Sequence, residues 1–214
     1  MKRLGLARAL DDPLCQAVRA VGWEPVPLFL TGMAATQADP PTDHPDAVLV
    51  LSPAAARLAR IPAGVPCLAQ GEATARALGG RDVWVSAVPR AEGLFDLLRE
   101  KFPAGGTFLL ARGERSREHL EQAAEGTPWR LLPWITHREV PLAPPPAWPE
   151  LDAVLALSPL QAELMGPGSA AGRPVLRFAW GKRTRRAFLQ GGYPVDAFCE
   201  PEAASLQRLL AAYS

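Results

Sequence analysis

Two short stretches carry the residue types best suited to holding an anion: Gly71-Glu72-Ala73-Thr74 and Gly181-Lys182-Arg183-Thr184. Each follows a short apolar run and opens a segment of helical period, so each glycine stands at a strand-to-helix turn. Glycine there lets a ligand approach the backbone closely. The free amides of a first helical turn, with the helix dipole, attract negative charge; Thr74 and Thr184 add hydroxyls on that turn. Ser52-Pro53 and Ser158-Pro159 end two further apolar runs. Serine as N-cap with proline at the first helical position is a strong helix start, and the cap hydroxyl or amide can also face a ligand. Basic residues gather around these ends. Arg8, Arg112 and Lys182 stand nearest the expected strand ends, while Arg115, Arg117, Arg177, Arg183, Arg185 and Arg186 lie on adjoining segments. No GxGxxG or GxxxxGK[ST] fingerprint, nucleophile elbow, Ser-His-Asp arrangement or pair of strand-end carboxylates accompanies them. An enzyme built from these parts works by positioning a polyanion rather than through a strong acid, base or nucleophile.

The elements that must position these residues follow from the hydrophobic pattern. Short apolar runs ("RLGLA", "DAVLVL", "VPCLA", "GTFLLA", "LDAVLAL", "PVLRFAW") alternate with amphipathic stretches such as "DDPLCQAVRAV", "GEATARAL" and "AEGLFDLLRE". That alternation predicts βαβ units and parallel sheets. The pattern also repeats. "LAR" at 6–8 recurs at 110–112, "DAVLVLSPAAARL" at 46–58 as "DAVLALSPLQAEL" at 152–164, and "AQGEAT" at 69–74 as "AWGKRT" at 179–184. "VSAVPR" at 85–90 matches "VDAFCE" at 195–200, each before a closing helix. Ordered self-similarity of this kind predicts two α/β domains of one design. Two Pro-rich, weakly periodic stretches, 31–45 and 136–150, read as extended connections between them.

With 214 residues the chain has room for two domains, and a net charge of +1 gives no broad basic surface for nucleic acid or membrane. Cys15, Cys67 and Cys199 are odd in number and far apart, as expected of reduced thiols in a cytoplasmic protein. They and the scattered His44, His119 and His137 make no metal-ligand pattern. The basic, partly apolar N-terminus is broken by Arg8 and Asp11-Asp12 before it reaches signal-peptide length. No run is long enough for a membrane span.

The ordered set "LGLAR", "DAVLVLSPAAARL", "CLAQGEATARAL", "LLARGERSREHL", "DAVLALSPLQAEL" and "GKRTRRAFLQGGYPV" resembles the uroporphyrinogen-III synthase family along nearly the whole chain. The resemblance implies two similar flavodoxin-like doubly wound parallel-sheet domains joined by a two-stranded extended linker. By analogy, residues 1–30 and 139–214 form one domain and 31–138 the other. It implies a polycarboxylate substrate, hydroxymethylbilane, bound between the domains without cofactor or metal. The terminal hydroxyl leaves as water to give an azafulvene. Attack by the substituted carbon of ring D gives a spiro intermediate, which rearranges so that the macrocycle closes with that ring inverted.

Carried over by position, Thr184 and Thr74 match cleft threonines of the family, and Ser52 and Ser158 match strand-end hydroxyls. Arg8 and Arg177 match basic residues near the cleft; Gly71, Gly181, Arg112 and Lys182 complete the substrate-binding set. Trp134 stands where the family often has a tyrosine proposed to assist departure of the hydroxyl. It joins the threonines as a catalytic candidate, although indole N–H is no proton-transfer acid; stacking on a pyrrole ring and a core role are both open. Ser116 replaces a usual glycine, and "GKRTRR" is more basic than the usual "GPTT" form. The sequence expectation is therefore a cyclising synthase, monomeric and cytoplasmic, with no nucleic-acid or membrane partner. The alternative is a non-catalytic two-domain paralogue that binds a tetrapyrrole or another polyanion. A periplasmic-type binding protein is disfavoured by the lack of a signal peptide.

Overall fold

Ala47–Val50 and Ala153–Ala156 are four-residue apolar runs in which every side chain is buried. A strand apolar on both faces needs cover on both sides and a place inside a sheet, and both strands take such places. The computed structural model describes residues 1–80, 82–88, 91–116, 119–143, 148–167 and 175–214. Arg117, one of the basic candidates, lies outside them, as do Pro89 and Arg90 of the "VSAVPR" repeat.

The chain begins with β1 (Arg3–Leu6), α1 (Pro13–Arg19), β2 (Glu24–Pro27) and β3 (Thr31–Ala35). It continues through β4 (Ala47–Val50), α2 (Pro53–Leu58), β5 (Cys67–Ala69), α3 (Glu72–Leu78), β6 (Val83–Val85) and α4 (Ala91–Lys101). Next come β7 (Gly106–Gly113), α5 (His119–Ala124) and the long β8 (Trp129–Pro141). The chain ends with β9 (Ala153–Ala156), α6 (Pro159–Met165), β10 (Leu176–Trp180), α7 (Lys182–Gln190), β11 (Ala197–Cys199) and α8 (Ala203–Ala211).

These elements form two compact units, Met1–Gly32 with Val140–Ser214, and Met33–Glu139. The first unit holds a sheet in the order β11-β10-β9-β1-β2, parallel throughout. One face packs Leu4, Leu6, Trp23, Phe178 and Leu206, and the other packs Leu28, Val154, Met165 and Phe188. The second sheet runs β3-β8-β7-β4-β5-β6, with β8 through β6 parallel. Leu49, Leu68, Leu98 and Phe108 fill one face; Val48, Val50, Leu109 and Trp134 fill the other. Both sheets therefore belong to mixed α/β structure with parallel strands.

Without β3, the two orders agree place by place. β9 corresponds to β4, β10 to β5, β11 to β6, β1 to β7 and β2 to β8. The repeated motifs sit on these matching strands, so equal hydrophobic patterns have bought equal topology.

The Pro-rich stretches contain more regular structure than a spacer reading suggests. Residues 31–35 form β3, and β8 continues through Thr136 to Pro141. The Leu142 N–H donates to the Leu30 carbonyl (2.9 Å) and the Thr36 N–H to the Thr136 carbonyl (3.1 Å). Partner numbers fall as residue numbers rise, which marks an antiparallel pair. This long-range hydrogen bonding satisfies backbone groups that a spacer would leave to water.

Candidate functional site

The carboxyl ends of parallel strands are where the strand-to-helix turns fall, and ligands of such sheets bind there. In the first unit β10 ends at Trp180, Gly181 turns, and α7 begins. Gly181 adopts φ 87° and ψ 165°, and its N–H donates to the Cys199 carbonyl at 2.8 Å. In the second unit β5 ends at Ala69, and Gly71 adopts φ 96° and ψ 167° ahead of α3. A positive φ of this size is open to glycine alone among common residues, so the two turns share one backbone solution.

Thr184 and Thr74 follow three residues later and are 3% and 2% exposed. Among the described residues neither hydroxyl is engaged in a hydrogen bond. A hydroxyl left without a partner at a helix start is available to a ligand. Lys182, Arg183, Arg185 and Arg186 are exposed on the same two turns of α7, with Arg185 stacked 4.9 Å from the Phe198 ring.

Ser52 and Ser158 act as caps. Ser52 Oγ accepts from the Ala55 N–H at 3.1 Å, and Ser158 Oγ accepts from the Gln161 N–H at 3.2 Å. Gln161 is a buried partner that the motif reading passed over. Its Oε1 accepts from the Leu157 N–H (3.0 Å) and its Nε2 donates to Thr31 Oγ1 (3.3 Å). The S-x-x-Q spacing of a capping box was its available signal.

The arginines take three different fates. Arg8 lies past the end of β1, exposed, with Nε 3.5 Å from Asp12, which itself caps α1. Arg112 is inside β7 and 6% exposed, with Nε 2.9 Å from Glu121 of α5. It is a buried ion-pair residue rather than an exposed strand-end cation. Arg177 lies near the amino end of β10, not the carboxyl end. Its N–H donates to Asp196 (2.7 Å), its Nε to the Gly166 carbonyl (3.1 Å), and it stacks on Tyr193. The end of α6 and the Tyr193 ring thus hold this side chain.

Trp134 is 2% exposed and packs with Val48, Val50 and Leu109. Its Nε1–H donates to the Ala38 carbonyl at 2.9 Å. The indole is thus buried with its donor engaged.

Sequence reasoning also missed His137. A register shift between Arg112 and Gly113 places Gly113 opposite His137 across β7 and β8. The imidazole is 7% exposed, Nδ1 lies 3.0 Å from Thr136 Oγ1, and burial pushes its pKa below the ordinary 6.5. Met33, Gly113, Ser116 and His137 with their charged neighbours line a pocket of about 190 Å³. Nothing in the local sequence announces a bulge that depends on two distant strands.

Cys15, Cys67 and Cys199 are buried, and none of them is in a disulfide among the described residues. Among the described residues no three His, Cys, Asp or Glu side chains gather as a metal site, and no helix is long and apolar enough to cross a membrane.

A search of curated proteins gives no match. Among solved structures, uroporphyrinogen-III synthetase of Helicobacter pylori is similar over 100% of both chains, with a TM-score of 0.61 at 12% identity. That likeness supports the fold. A mutant uroporphyrinogen III synthase from Thermus thermophilus covers 100% of this chain and 99% of its own, at 19% identity and a TM-score of 0.49. A second Thermus thermophilus synthase structure matches over 100% of both chains at 18% identity and a TM-score of 0.46. The family model described as Uroporphyrinogen-III synthase HemD matches residues 12–211. With the match spanning nearly every element described above, the chain belongs to the uroporphyrinogen-III synthase family, cyclising lyases of tetrapyrrole biosynthesis.

Proposed function

We propose that this chain closes hydroxymethylbilane to uroporphyrinogen III, inverting ring D, by gripping the substrate's carboxylates at the carboxyl ends of its strands. The observation that carries this reading is the pair of matching glycine turns, each with a buried threonine on the following helical turn. The cations of α7 add the charge that a polycarboxylate needs. Thr184 and Thr74 are the hydroxyls offered to the substrate; Gly71, Gly181 and Lys182 bind it through amides and charge, and Ser52 and Ser158 hold the flanking helix starts.

The C–O bond of the terminal hydroxymethyl group breaks and its oxygen leaves as water. The electrophilic carbon left behind is attacked by ring D, and the conformation in which the chain is held decides which ring carbon attacks. Holding the reacting ends together supplies the rate and the steering at once.

The first sheet's strand order, 2-1-3-4-5 along the chain, and the same spatial arrangement reached in the second by a circularly permuted order, 3-2-1-4-5, support two flavodoxin-like domains, 1–30 with 139–214 and 31–138. The reading carries with it a monomeric cytoplasmic enzyme that acts on a free small molecule without cofactor. A polyanion-binding paralogue without turnover draws support from Trp134, whose indole cannot replace a proton-transferring tyrosine.

Product analysis separates the two. Freshly generated hydroxymethylbilane is incubated with protein, and the oxidised products are resolved into isomers I and III beside a protein-free control. Excess isomer III is expected. Isomer I alone, at the control rate from folded protein, would overturn the synthase reading.

A further inference from the structure

We infer that the outer edge of β11 is a docking site for an extended acidic segment of a partner protein, which adds to the five-stranded first sheet as one more strand. β11 pairs with β10 on one side, and among the described residues no strand covers its other side. A bare edge offers backbone donors and acceptors to an extended chain. Beside it runs a shallow groove of about 490 Å³. Phe198 and Glu200 form one wall of the groove; Ser205, Arg208 and Leu209 of α8, with Tyr213 just beyond it, form the other. A groove between an edge strand and a helix is a setting in which peptides are read by strand addition.

The charges say what kind of segment fits. Side chains along a strand alternate between the two faces of its sheet. Ala197 and Cys199 turn to α8, in one core cluster with Leu206 and Leu210. Phe198 turns to α7, where Arg185 stacks over its ring at 4.9 Å. Arg208 stands on the α8 side, with Nη2 donating to Ser205 Oγ at 2.9 Å. The strand edge thus has one arginine on each face, and among the described residues neither meets a carboxylate. Asp196 and Glu200 stand only at the two ends of the strand. An added strand with two consecutive acidic residues at its centre sends one carboxylate to each arginine. Phe198, 37% exposed, and the half-buried Leu209 supply apolar cover around these pairs.

The same charges disfavour a second copy of this chain as the occupant. An antiparallel β11–β11 pair about a two-fold axis sets α7 of one chain beside α7 of the other. Lys182, Arg185 and Arg186 are exposed on that helix, so cation would face cation. Pro194 and Pro201 bound the strand and hold the added pairing to a few residues. Over so short a contact, the two arginines decide which segment is accepted.

The test titrates the wild-type chain into a fluorescein-labelled, end-blocked TVEEVT peptide and follows anisotropy. TVEEVT should bind at least about tenfold more tightly than TVKKVT and should lose affinity as salt is raised. In an added strand only alternate amides point at β11. N-methylation of one alternating set of peptide amides should therefore abolish binding, and methylation of the other set should spare it. Arg208→Glu and Arg185→Glu should each weaken TVEEVT by about tenfold and strengthen TVKKVT, with far-UV circular dichroism unchanged. Arg208 is not among the residues assigned to hydroxymethylbilane, so Arg208→Glu should form isomer III as the wild type does. A wild type that forms no excess isomer III would overturn the synthase reading and leave the docking result standing. Equal affinity for the two peptides, no binding of either, or the same response to both methylation patterns would overturn the docking site. So would a concentration-dependent dimer in sedimentation that Arg208→Glu dissolves, which would make a second copy the occupant.

Discussion

The two units carry the same motifs, and comparison of their matching residues separates what folds the chain from what distinguishes its halves. Arg8 and Arg112 both end an "LAR" repeat. β1 stops at Leu6, so Arg8 falls in the following turn, exposed beside Asp12. β7 runs on to Gly113, so Arg112 stays within the sheet and is buried against Glu121. The glycine turns differ in the opposite way. Their backbones agree within ten degrees in φ and ψ, yet α3 opens with Glu72 and α7 with Lys182 and Arg183. Acidic residues stabilise a helix start and basic ones oppose the dipole. The first unit therefore keeps, at some cost in stability, a charge set that suits an anionic substrate.

The largest effect should come from breaking the arginine contrast. Arg112→Met leaves Glu121 without its buried counter-charge and should cost about 3–5 kcal/mol, read as a lowered midpoint of urea unfolding. Arg8→Met removes an exposed pair and should cost less than about 1 kcal/mol. The double variant Arg112→Met/Glu121→Leu should recover most of the loss, because an apolar pair of similar volume needs no desolvated charge. Equal costs for Arg8 and Arg112 would remove the distinction.

Next come the threonines. Thr184→Val keeps volume and deletes the hydroxyl; a loss of about 10²-fold in kcat/KM for isomer III is expected of a donor acting on the reacting substrate. Thr74→Val should cost less, roughly tenfold on the same scale, because the first turn of α3 carries Glu72 where α7 carries Lys182 and Arg183. Equal losses would mean that both units hold the substrate alike.

The charge contrast yields a double signature. Lys182→Glu should raise KM by about tenfold, equivalent to about 1.4 kcal/mol of lost binding, and should raise Tm by about 1–3 °C as the dipole is complemented. Glu72→Lys on α3 should lower Tm with little change in KM. A Lys182→Glu protein that is less stable and binds as before would show that the basic turn has a structural role.

Much of this architecture is legible in the sequence because its causes are local. The apolar runs of β4 and β9, the Ser-Pro helix starts and the glycine turns each depend on a few adjacent residues, and they stand where pattern and cap chemistry place them. What escaped depends on distant partners. The residues of β3 show no strand pattern of their own, and an extended pair there is implied only by the family resemblance; His137 becomes a pocket residue through a bulge opposite Gly113. The partners of the Arg177 side chain, and the burial of Trp134, are likewise set by neighbours far away in sequence. Trp134 has a counterpart in kind in Trp23, buried in the first unit with its N–H on the Leu210 carbonyl at 3.2 Å. Trp134→Phe keeps the aromatic core but orphans the Ala38 carbonyl. It should lower stability by about 1 kcal/mol and change kcat less than the threonine variants do, an outcome that thermal melts and isomer III assays would check together.

The smallest expected effect divides the units by pH. In the first unit, burial raises the Cys199 thiol from 9.0 to about 11 and also raises Cys15, with Asp12 adding to the latter. Between those values the unfolded chain has released the Cys199 proton and the folded chain has not, so stability falls as pH rises from about 9 toward 11. In the second unit, burial lowers His137 below 6.5. Below that pH the unfolded chain gains a proton that the folded site resists, so stability falls as pH drops. Thermal melts across the range should therefore show two independent shoulders. Cys199→Ala should weaken only the alkaline one, leaving the part due to Cys15, and His137→Gln should flatten only the acid one. The two groups lie in different units and share no partner among the described residues, so the double variant should show the sum of both changes. A single variant that altered both shoulders would mean that the substitution changes more than the titration of its own group, and the assignment of one shoulder to each group would fail.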